Sequence, residues 1–165
     1  MLKIQLSDAI LALSKLLIVK NYKMATAESC TGGWVAKAAT DLAGSSSWFD
    51  RGLVTYSNQS KMDILGVSAA TLEAYGAVSQ QTVVEMVAGL LRSNSVSIGV
   101  AISGIAGPDG GTIEKPLGTV WLAWQSKSSE VFSKCYLFEG NREDIRLQAA
   151  LKAVTGMIDL LESDQ

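Results

Sequence analysis

The sequence predicts an α/β fold, built as a three-layer α/β/α sandwich with a mixed, mostly parallel sheet of about five strands. Two observations indicate this class. Helix-like segments alternate with short apolar strands over the first hundred residues, and two adjacent strand-like segments follow later in the chain. Alternation is typical of parallel sheets covered by helices, and a late hairpin adds an antiparallel pair. A chain of 165 residues suits one domain, which we predict over residues 1–165.

The first half of the chain carries alternating helix and strand signals. In order, they predict a helix over 4–19, a strand over 24–27, a helix from about 32 to 41, a loop over 42–47, a strand over 49–56, and short helices near 58–65 and 69–75. The first helix places its apolar residues near helical spacing. The two strands are short and apolar or β-branched, and Gly32 and Gly33 mark the turn before the second helix.

The second half begins with helix and strand and then changes to a hairpin. In order, we predict a helix over 79–93, a strand over 96–103, a loop over 104–118, hairpin strands over 118–124 and 131–138, and a last helix over 142–161. Ser79 is a preferred residue for capping the first of these helices. The loop contains five of the fifteen glycines and both prolines, and a loop of this length without structure of its own is often functional.

Composition narrows the class of function. Hydrophobic residues make up 48% and charged residues 18%, which is typical of a globular domain, and a net charge of −2 argues against a nucleic-acid partner. Charged residues interrupt the first helical stretch, so we expect neither a membrane span nor a signal peptide. The two cysteines, Cys30 and Cys135, form no C-x-x-C pair, which favours a reduced, cytoplasmic protein.

The common catalytic motifs are missing. The chain has no histidine, which excludes a Ser-His-Asp triad, a Cys-His pair and a zincin-type metal helix. It also contains no G-x-G-x-x-G, Walker A, G-x-S-x-G or S-x-x-K motif. An enzyme with this sequence must therefore use a less common mechanism.

Three polar segments follow predicted strands, at residues 28–33, 56–61 and 103–108. Because ligands bind beyond the carboxyl ends of strands in such sheets, we expect these segments to form one pocket. The first segment reads E-S-C-T-G-G, and Ser29 there is either a helix cap or a nucleophile. The nucleophile would rely on N–H groups of the Thr31-Gly32-Gly33 turn to hold an oxyanion. Cys30 is a competing nucleophile, although adjacent side chains of an extended segment point in opposite directions.

Lys61 is the best candidate for the base that a serine nucleophile needs. A free lysine has a pKa of ~10.4, so its deprotonation at pH 7 costs about 4.6 kcal/mol, and the site must lower that pKa by burial or by a nearby cation. Tyr56 would relay a proton or hold Lys61 in place. Otherwise Lys61 is a solvated lysine on a short helix, and Tyr56 is a strand aromatic that covers the core.

Arg142 and Arg146 stand four residues apart on the last helix and share a face. They would bind a phosphate, or pair with the neighbouring Glu143 and Asp144. The glycine-rich loop at 104–118 can likewise expose backbone N–H groups to an anion, or serve only as a long turn.

Several ordered motifs together carry a family resemblance. They are T-A-E-S-C-T-G-G at 26–33, G-S-S at 44–46, V-T-Y-S-N at 54–58 with Lys61, G-A-V-S at 76–79, and S-G-I-A-G-P-D-G-G-T-x-E-K-P-L-G-T-V at 103–120. With these motifs the chain resembles the CinA C-terminal domain family, and within it the stand-alone nicotinamide mononucleotide deamidases. The resemblance extends from about residue 5 to 160. Two positions depart from many relatives, which have Thr at the position of Ser103 and Gly at that of Arg51.

The resemblance implies hydrolysis of the carboxamide of nicotinamide mononucleotide, giving nicotinic acid mononucleotide and ammonia in NAD recycling. It implies Ser29 as nucleophile, Lys61 as base with the aid of Tyr56, no metal or other cofactor, and a homodimer. The candidate substrate-binding residues are Thr31, Gly32, Gly33, Ser45, Ser46, Ser103, Gly104, Gly107, Arg142 and Arg146. Two rival hypotheses remain, namely a nucleotide-binding regulatory module without turnover and an amidase that uses Cys30.

Overall fold

A computed structural model of the chain describes residues 1–163, so the last two positions of the predicted domain lie outside the described residues. Its strands are β1 (Met24–Glu28), β2 (Phe49–Val54), β3 (Ile98–Gly104), β4 (Thr119–Ser126) and β5 (Phe132–Leu137). They form a five-stranded sheet in the order β2-β1-β3-β4-β5. β1 pairs in parallel with β2 and β3, whereas β3–β4 and β4–β5 are antiparallel. Four strands therefore share one direction, and the predicted mixed sheet is confirmed.

Helices cover both faces of this sheet. They are α1 (Leu2–Lys20), α2 (Trp34–Thr40), α3 (Asn58–Leu65), α4 (Ala69–Tyr75), α5 (Gln80–Leu91) and α6 (Arg142–Ser163). α1, α2 and α6 pack together on one face, and α3, α4 and α5 pack on the other. The predicted three-layer sandwich is thus confirmed.

The central strand β1 connects the two hydrophobic cores. All five of its residues are buried, and successive side chains point to opposite faces of the sheet. Met24 packs in the core beneath α1, α2 and α6, while Ala25 packs in the core beneath α3, α4 and α5. On the first of these faces, Trp124 Nε1 donates a 2.8 Å hydrogen bond to the Ala153 carbonyl, which fixes α6 against β4.

The predicted segments are all present, with shifted boundaries. β2 ends at Val54, two residues before the predicted end, because the chain turns at Thr55 to begin α3. Ser57 caps α3 and forms a reciprocal capping box with Ser60. Ser79 caps α5 as expected, accepting a hydrogen bond from the Thr82 N–H. The early end of β2 places Tyr56 beyond the sheet.

Candidate active site

The carboxyl ends of β2, β1 and β3 lie side by side. Glu28, the last residue of β1, is in register with Val54 and Ile102. The register continues one residue further, since the Ser29 N–H donates to the Ile102 carbonyl at 3.0 Å and the Thr55 N–H donates to the Glu28 carbonyl at 2.9 Å. The three polar segments identified in the sequence therefore meet at one edge of the sheet.

Ser29 and Lys61 are in direct contact at this edge. The distance from Lys61 Nζ to Ser29 Oγ is 3.1 Å, and Lys61 Nζ also donates to the Thr55 carbonyl at 2.8 Å. Lys61 is 1% exposed and Ser29 8% exposed. Lys61 lies in the first turn of α3, whose side chains point back toward the strand ends. The lysine is therefore a fixed partner of the serine, rather than a solvated surface residue.

The surroundings of Lys61 disfavour its charged form. Burial lowers the pKa of Lys61 below the ordinary lysine value of 10.5. Within residues 1–163, no carboxylate forms an ion pair with its ammonium group to oppose this shift. A neutral amine at hydrogen-bond distance from a hydroxyl can accept its proton, which is the arrangement a serine nucleophile requires.

Cys30 faces away from this pair, as the extended backbone predicted. Its side chain is 6% exposed and packs in the core beneath α1, α2 and α6. Burial raises the pKa of the Cys30 thiol to about 12. The group therefore stays a neutral thiol at physiological pH, and its environment is that of a structural cysteine.

The turn after Ser29 is held by a buried carboxylate. Glu28 is 0% exposed, and its two side-chain oxygens accept five hydrogen bonds of 2.7–3.2 Å. The donors are the hydroxyls of Thr26 and Thr31 and the N–H groups of Gly33, Val35 and Ala36. Glu28 thereby satisfies the first N–H groups of α2, which would otherwise lack acceptors.

These bonds correct the predicted oxyanion donors. The Gly33 N–H is bound to Glu28, and the Gly32 N–H donates to the Ser29 carbonyl at 3.0 Å. Both glycines have positive φ angles, which make this tight turn possible. By contrast, the N–H groups of Cys30 and Thr31 donate to no other residue within the described chain. They are the turn donors that remain available for an oxyanion.

Tyr56 lies in the segment that follows β2 and bonds to Arg142. Its hydroxyl accepts a 3.0 Å hydrogen bond from Arg142 Nη2, and its side chain is 60% exposed. Arg142 Nη1 also donates to the Gly107 carbonyl at 2.6 Å. Arg142 thus connects the segment after β2 with the loop after β3. No hydrogen bond within residues 1–163 joins Tyr56 to Ser29 or Lys61.

Arg146 supports the turn itself. Its Nε donates to the Cys30 carbonyl at 2.9 Å and its Nη2 to the Thr31 carbonyl at 3.0 Å. Both arginines of α6 therefore bind backbone carbonyls at the strand ends. Neither forms the expected ion pair with Glu143 or Asp144 among the described residues, because both side chains extend toward the sheet edge.

Ser103 and Gly104 end β3 beside Ser29. Ser103 is 1% exposed. Its side chain lies on the same face of the sheet as that of Ser29, because the two residues share a register position. The structure thus brings these residues next to the serine–lysine pair.

The remaining predicted residues lie elsewhere. Ser45 and Ser46 form a 3₁₀ turn just before β2, at the amino ends of the strands and thus at the opposite end of the sheet from Ser29. The Met24 N–H, at the start of β1, donates to the Trp48 carbonyl directly after this turn. Arg51 bonds to Asp50 and to serines of the α5–β3 loop, also away from the pair.

Sequence reasoning missed two groups of this site. Glu28 has no role among the predictions from sequence, although an acid that ends a buried strand just before a turn and a helix is a signal for a carboxylate that binds the turn. The Thr55 carbonyl is the second partner of Lys61, and a backbone acceptor leaves no signal in the sequence. The Thr55 side chain is fully buried, and its hydroxyl finds no hydrogen-bond partner among residues 1–163.

Within residues 1–163, no three His, Cys, Asp or Glu side chains cluster closely enough to hold a metal ion. Within the same range, no helix has the length and apolar character needed to span a bilayer.

Fold and site together define a class of protein, namely an α/β/α domain with a buried serine–lysine pair at its strand ends. The family model for the CinA C-terminal domain matches residues 7–161, and the chain belongs to this family. The chain is 56% identical to the nicotinamide-nucleotide amidohydrolase PncC of Enterobacter agglomerans, over 80% of each chain. It is 54% identical to the protein of that name from Escherichia coli strain K12, over 78% of each chain.

Solved structures agree on the fold. The competence damage-inducible protein A of Klebsiella pneumoniae superposes with a TM-score of 0.92 at 35% identity, covering 97% of this chain and 99% of its own. The competence/damage inducible protein CihA of Agrobacterium tumefaciens gives a TM-score of 0.90 at 40% identity, covering 94% and 95%. The architecture described here is therefore that of the family.

Proposed function

We propose that this chain is a nicotinamide-nucleotide amidohydrolase in which Ser29 is the nucleophile and Lys61 the general base. The observation that carries the mechanism is the buried 3.1 Å contact between Lys61 Nζ and Ser29 Oγ. The identity of more than half the residues shared with two proteins named for this activity supports the reaction and the substrate. The chain thus hydrolyses the carboxamide of nicotinamide mononucleotide to a carboxylate and ammonia.

Acylation begins with proton transfer from Ser29 Oγ to neutral Lys61 Nζ. Burial of the lysine makes this neutral form accessible. The oxygen attacks the carboxamide carbon, and the negative charge moves to the carbonyl oxygen. The N–H groups of Cys30 and Thr31 receive this oxyanion, in keeping with the common use of the residue after a nucleophilic serine. Lys61 then returns the proton to the amide nitrogen, the C–N bond breaks, and ammonia leaves.

Deacylation repeats these steps with water. A water molecule in the space left by ammonia gives a proton to Lys61 and attacks the acyl carbon. The second tetrahedral intermediate collapses, the bond to Ser29 Oγ breaks, and Lys61 returns the proton to that oxygen. The products are nicotinic acid mononucleotide and free enzyme. The cycle requires one base that is neutral at rest, which is the form that burial of Lys61 favours.

Tyr56 has a supporting role in this mechanism. Its hydrogen bond with Arg142 and its 60% exposure support a position at the mouth of the site. We propose that Tyr56 and Arg142 position the bound substrate, with Ser103 and Gly104 forming the wall on the β3 side. A cytoplasmic homodimer that needs neither a metal nor another cofactor completes the proposal.

Ammonia release from nicotinamide mononucleotide tests this function directly. Wild type and Ser29→Ala are compared side by side in the presence of a chelator. We expect release by wild type alone. A folded wild type that binds the mononucleotide without releasing ammonia would instead support a regulatory binding module. Loss of turnover in Cys30→Ala, with Ser29→Ala still active, would assign the nucleophile to the cysteine.

A further inference from the structure

A cationic cavity lies on the other side of the Ser29 turn, between α1, α2 and α6. Its volume is about 400 Å³, and its walls are Lys3, Thr31, Gly32, Gly33, Trp34, Lys37 and Arg146. Each of the three helices contributes one cation to it. Thr31 lies only two residues after Ser29, so the cavity borders the candidate active site.

Two of these cations lie near the Trp34 ring. Arg146 is 5.2 Å and Lys3 Nζ 6.0 Å from the ring centre, which is within cation–π distance. Hydrogen bonds from Arg146 to the Cys30 and Thr31 carbonyls fix its guanidinium at the base of the cavity. The aromatic wall and the bound arginine therefore give the cavity a defined shape.

Among the described residues, the ion-pair partners of the two lysines are exposed carboxylates. Lys3 pairs with Glu143 and Lys37 with Asp41, each at 2.7 Å, and all four side chains are more than half exposed. Ion pairs this exposed contribute little and exchange readily. A ligand with two negative charges can therefore take both ammonium groups from their surface partners.

The backbone N–H groups that line this cavity are not available to bind a ligand. The N–H groups of Gly32, Gly33 and Trp34 are already bonded to the Ser29 carbonyl, the Glu28 carboxylate and the Thr31 carbonyl. The available donors are the ammonium groups of Lys3 and Lys37 and the Arg146 Nη1, which has no acceptor among the described residues. Two flexible ammonium groups and one planar guanidinium can together donate hydrogen bonds to the oxygens of a phosphate monoester.

We propose that this cavity binds a phosphate monoester through Lys3, Lys37 and Arg146. Two sources share this chemistry, namely the 5′-phosphate of the substrate and a separate phosphate-bearing ligand. The first source rests on the proposed function and makes the cavity the phosphate subsite of the active site. The second source makes it a distinct anion site beside the nucleophile turn.

Binding of inorganic phosphate provides the first test. Calorimetry compares wild type, the double variant Lys3→Gln/Lys37→Gln, and a matched double control, Lys15→Gln/Lys20→Gln, which removes the same charge elsewhere on α1. We expect the Kd for phosphate to rise roughly tenfold or more in the cavity variant, as for the loss of charge-assisted hydrogen bonds, and to stay unchanged in the control. Equal binding by all three proteins would overturn the proposal.

Kinetics then separate the two sources. If the substrate supplies the phosphate, the cavity variant has a raised KM for nicotinamide mononucleotide but unchanged constants for nicotinamide riboside. In this case inorganic phosphate also inhibits wild type competitively. If the ligand is separate, phosphate binding is weakened while KM for the mononucleotide stays the same.

The failure of the proposed function gives a different result from the failure of this site. If the wild type shows no turnover but its phosphate binding depends on Lys3 and Lys37, the anion site is supported and the amidase proposal is wrong. If the wild type is active but neither its phosphate affinity nor its KM changes in the Lys3→Gln/Lys37→Gln variant, the amidase proposal is supported and the anion site is wrong.

Discussion

Two buried ionisable side chains border the Ser29 turn from opposite faces of the sheet, and they differ in the number of hydrogen bonds that they form. Glu28 receives five hydrogen bonds from groups of β1, the turn and α2. Lys61 makes two hydrogen bonds through Nζ, to Ser29 Oγ and to the Thr55 carbonyl. The oxygens of Glu28 are fully occupied by hydrogen-bond donors, whereas Lys61 Nζ can still bind a reacting atom.

The difference separates a structural group from a reactive one. A saturated carboxylate fixes the geometry of the turn, and any change to it leaves several donors without acceptors. Burial lowers the pKa of Lys61, and within residues 1–163 no carboxylate pairs with its amine, so the amine can exchange a proton. The Thr55 carbonyl accepts a hydrogen bond from Lys61, and the buried hydroxyl of the same residue has no partner within residues 1–163.

The largest effect is expected for Lys61→Met. Removing the base should lower kcat/KM for nicotinamide mononucleotide by at least about a thousandfold. The free energy of unfolding should stay equal or rise, because an apolar side chain of similar length replaces a buried amine. Ammonia release and urea unfolding measure the two quantities, with exposed Lys15→Met as control. A Lys61→Met protein that is active, or that fails to fold, contradicts the distinction between the two groups.

The reverse pattern is expected for Glu28→Ala. Five donors lose their acceptor in a fully buried place, so unfolding should become easier by about 3 kcal/mol or more. Activity should fall only as far as the turn is disturbed in the protein that remains folded. Urea unfolding measures the change, and Glu73→Gln on the exposed face of α4 serves as the control. A destabilisation no larger than that of Glu73→Gln would show that the network carries little stability.

Sequence patterns predicted the elements well because apolar periodicity and capping residues are local signals. They also predicted that Ser29 and Lys61 lie at the same sheet edge, because strand direction fixes where the following segments go. The hydrogen bonds of Glu28 depend on the exact path of the turn, which residue types do not specify. The family resemblance implies Ser45 and Ser46 as substrate-binding residues, although residues that precede a parallel strand lie at its amino end.

The pH dependence tests the state of Lys61. Because its pKa is lowered in the folded protein, the folded state binds fewer protons than the unfolded chain between that pKa and 10.5. Stability relative to Lys61→Met should therefore rise with pH across this window. The rate kcat/KM should rise with pH and level off at an apparent pKa below 10.5. A profile that still rises beyond pH 10.5 would mean that burial does not keep the amine neutral.

The smallest effect is expected for Cys30→Ala. The thiol points into the core and has a pKa of about 12, so it supplies no thiolate at neutral pH. We expect kcat/KM to stay within about threefold of wild type and stability to fall by about 1 kcal/mol, as for loss of a small buried group. In native protein, iodoacetamide should label exposed Cys135 and leave Cys30 unmodified. Labelling of Cys30 with a matching loss of activity would mean that a reactive thiol lies on the sheet face where the structure places the hydrophobic core. The distinction between a reactive Ser29 and a structural Cys30 would then be wrong.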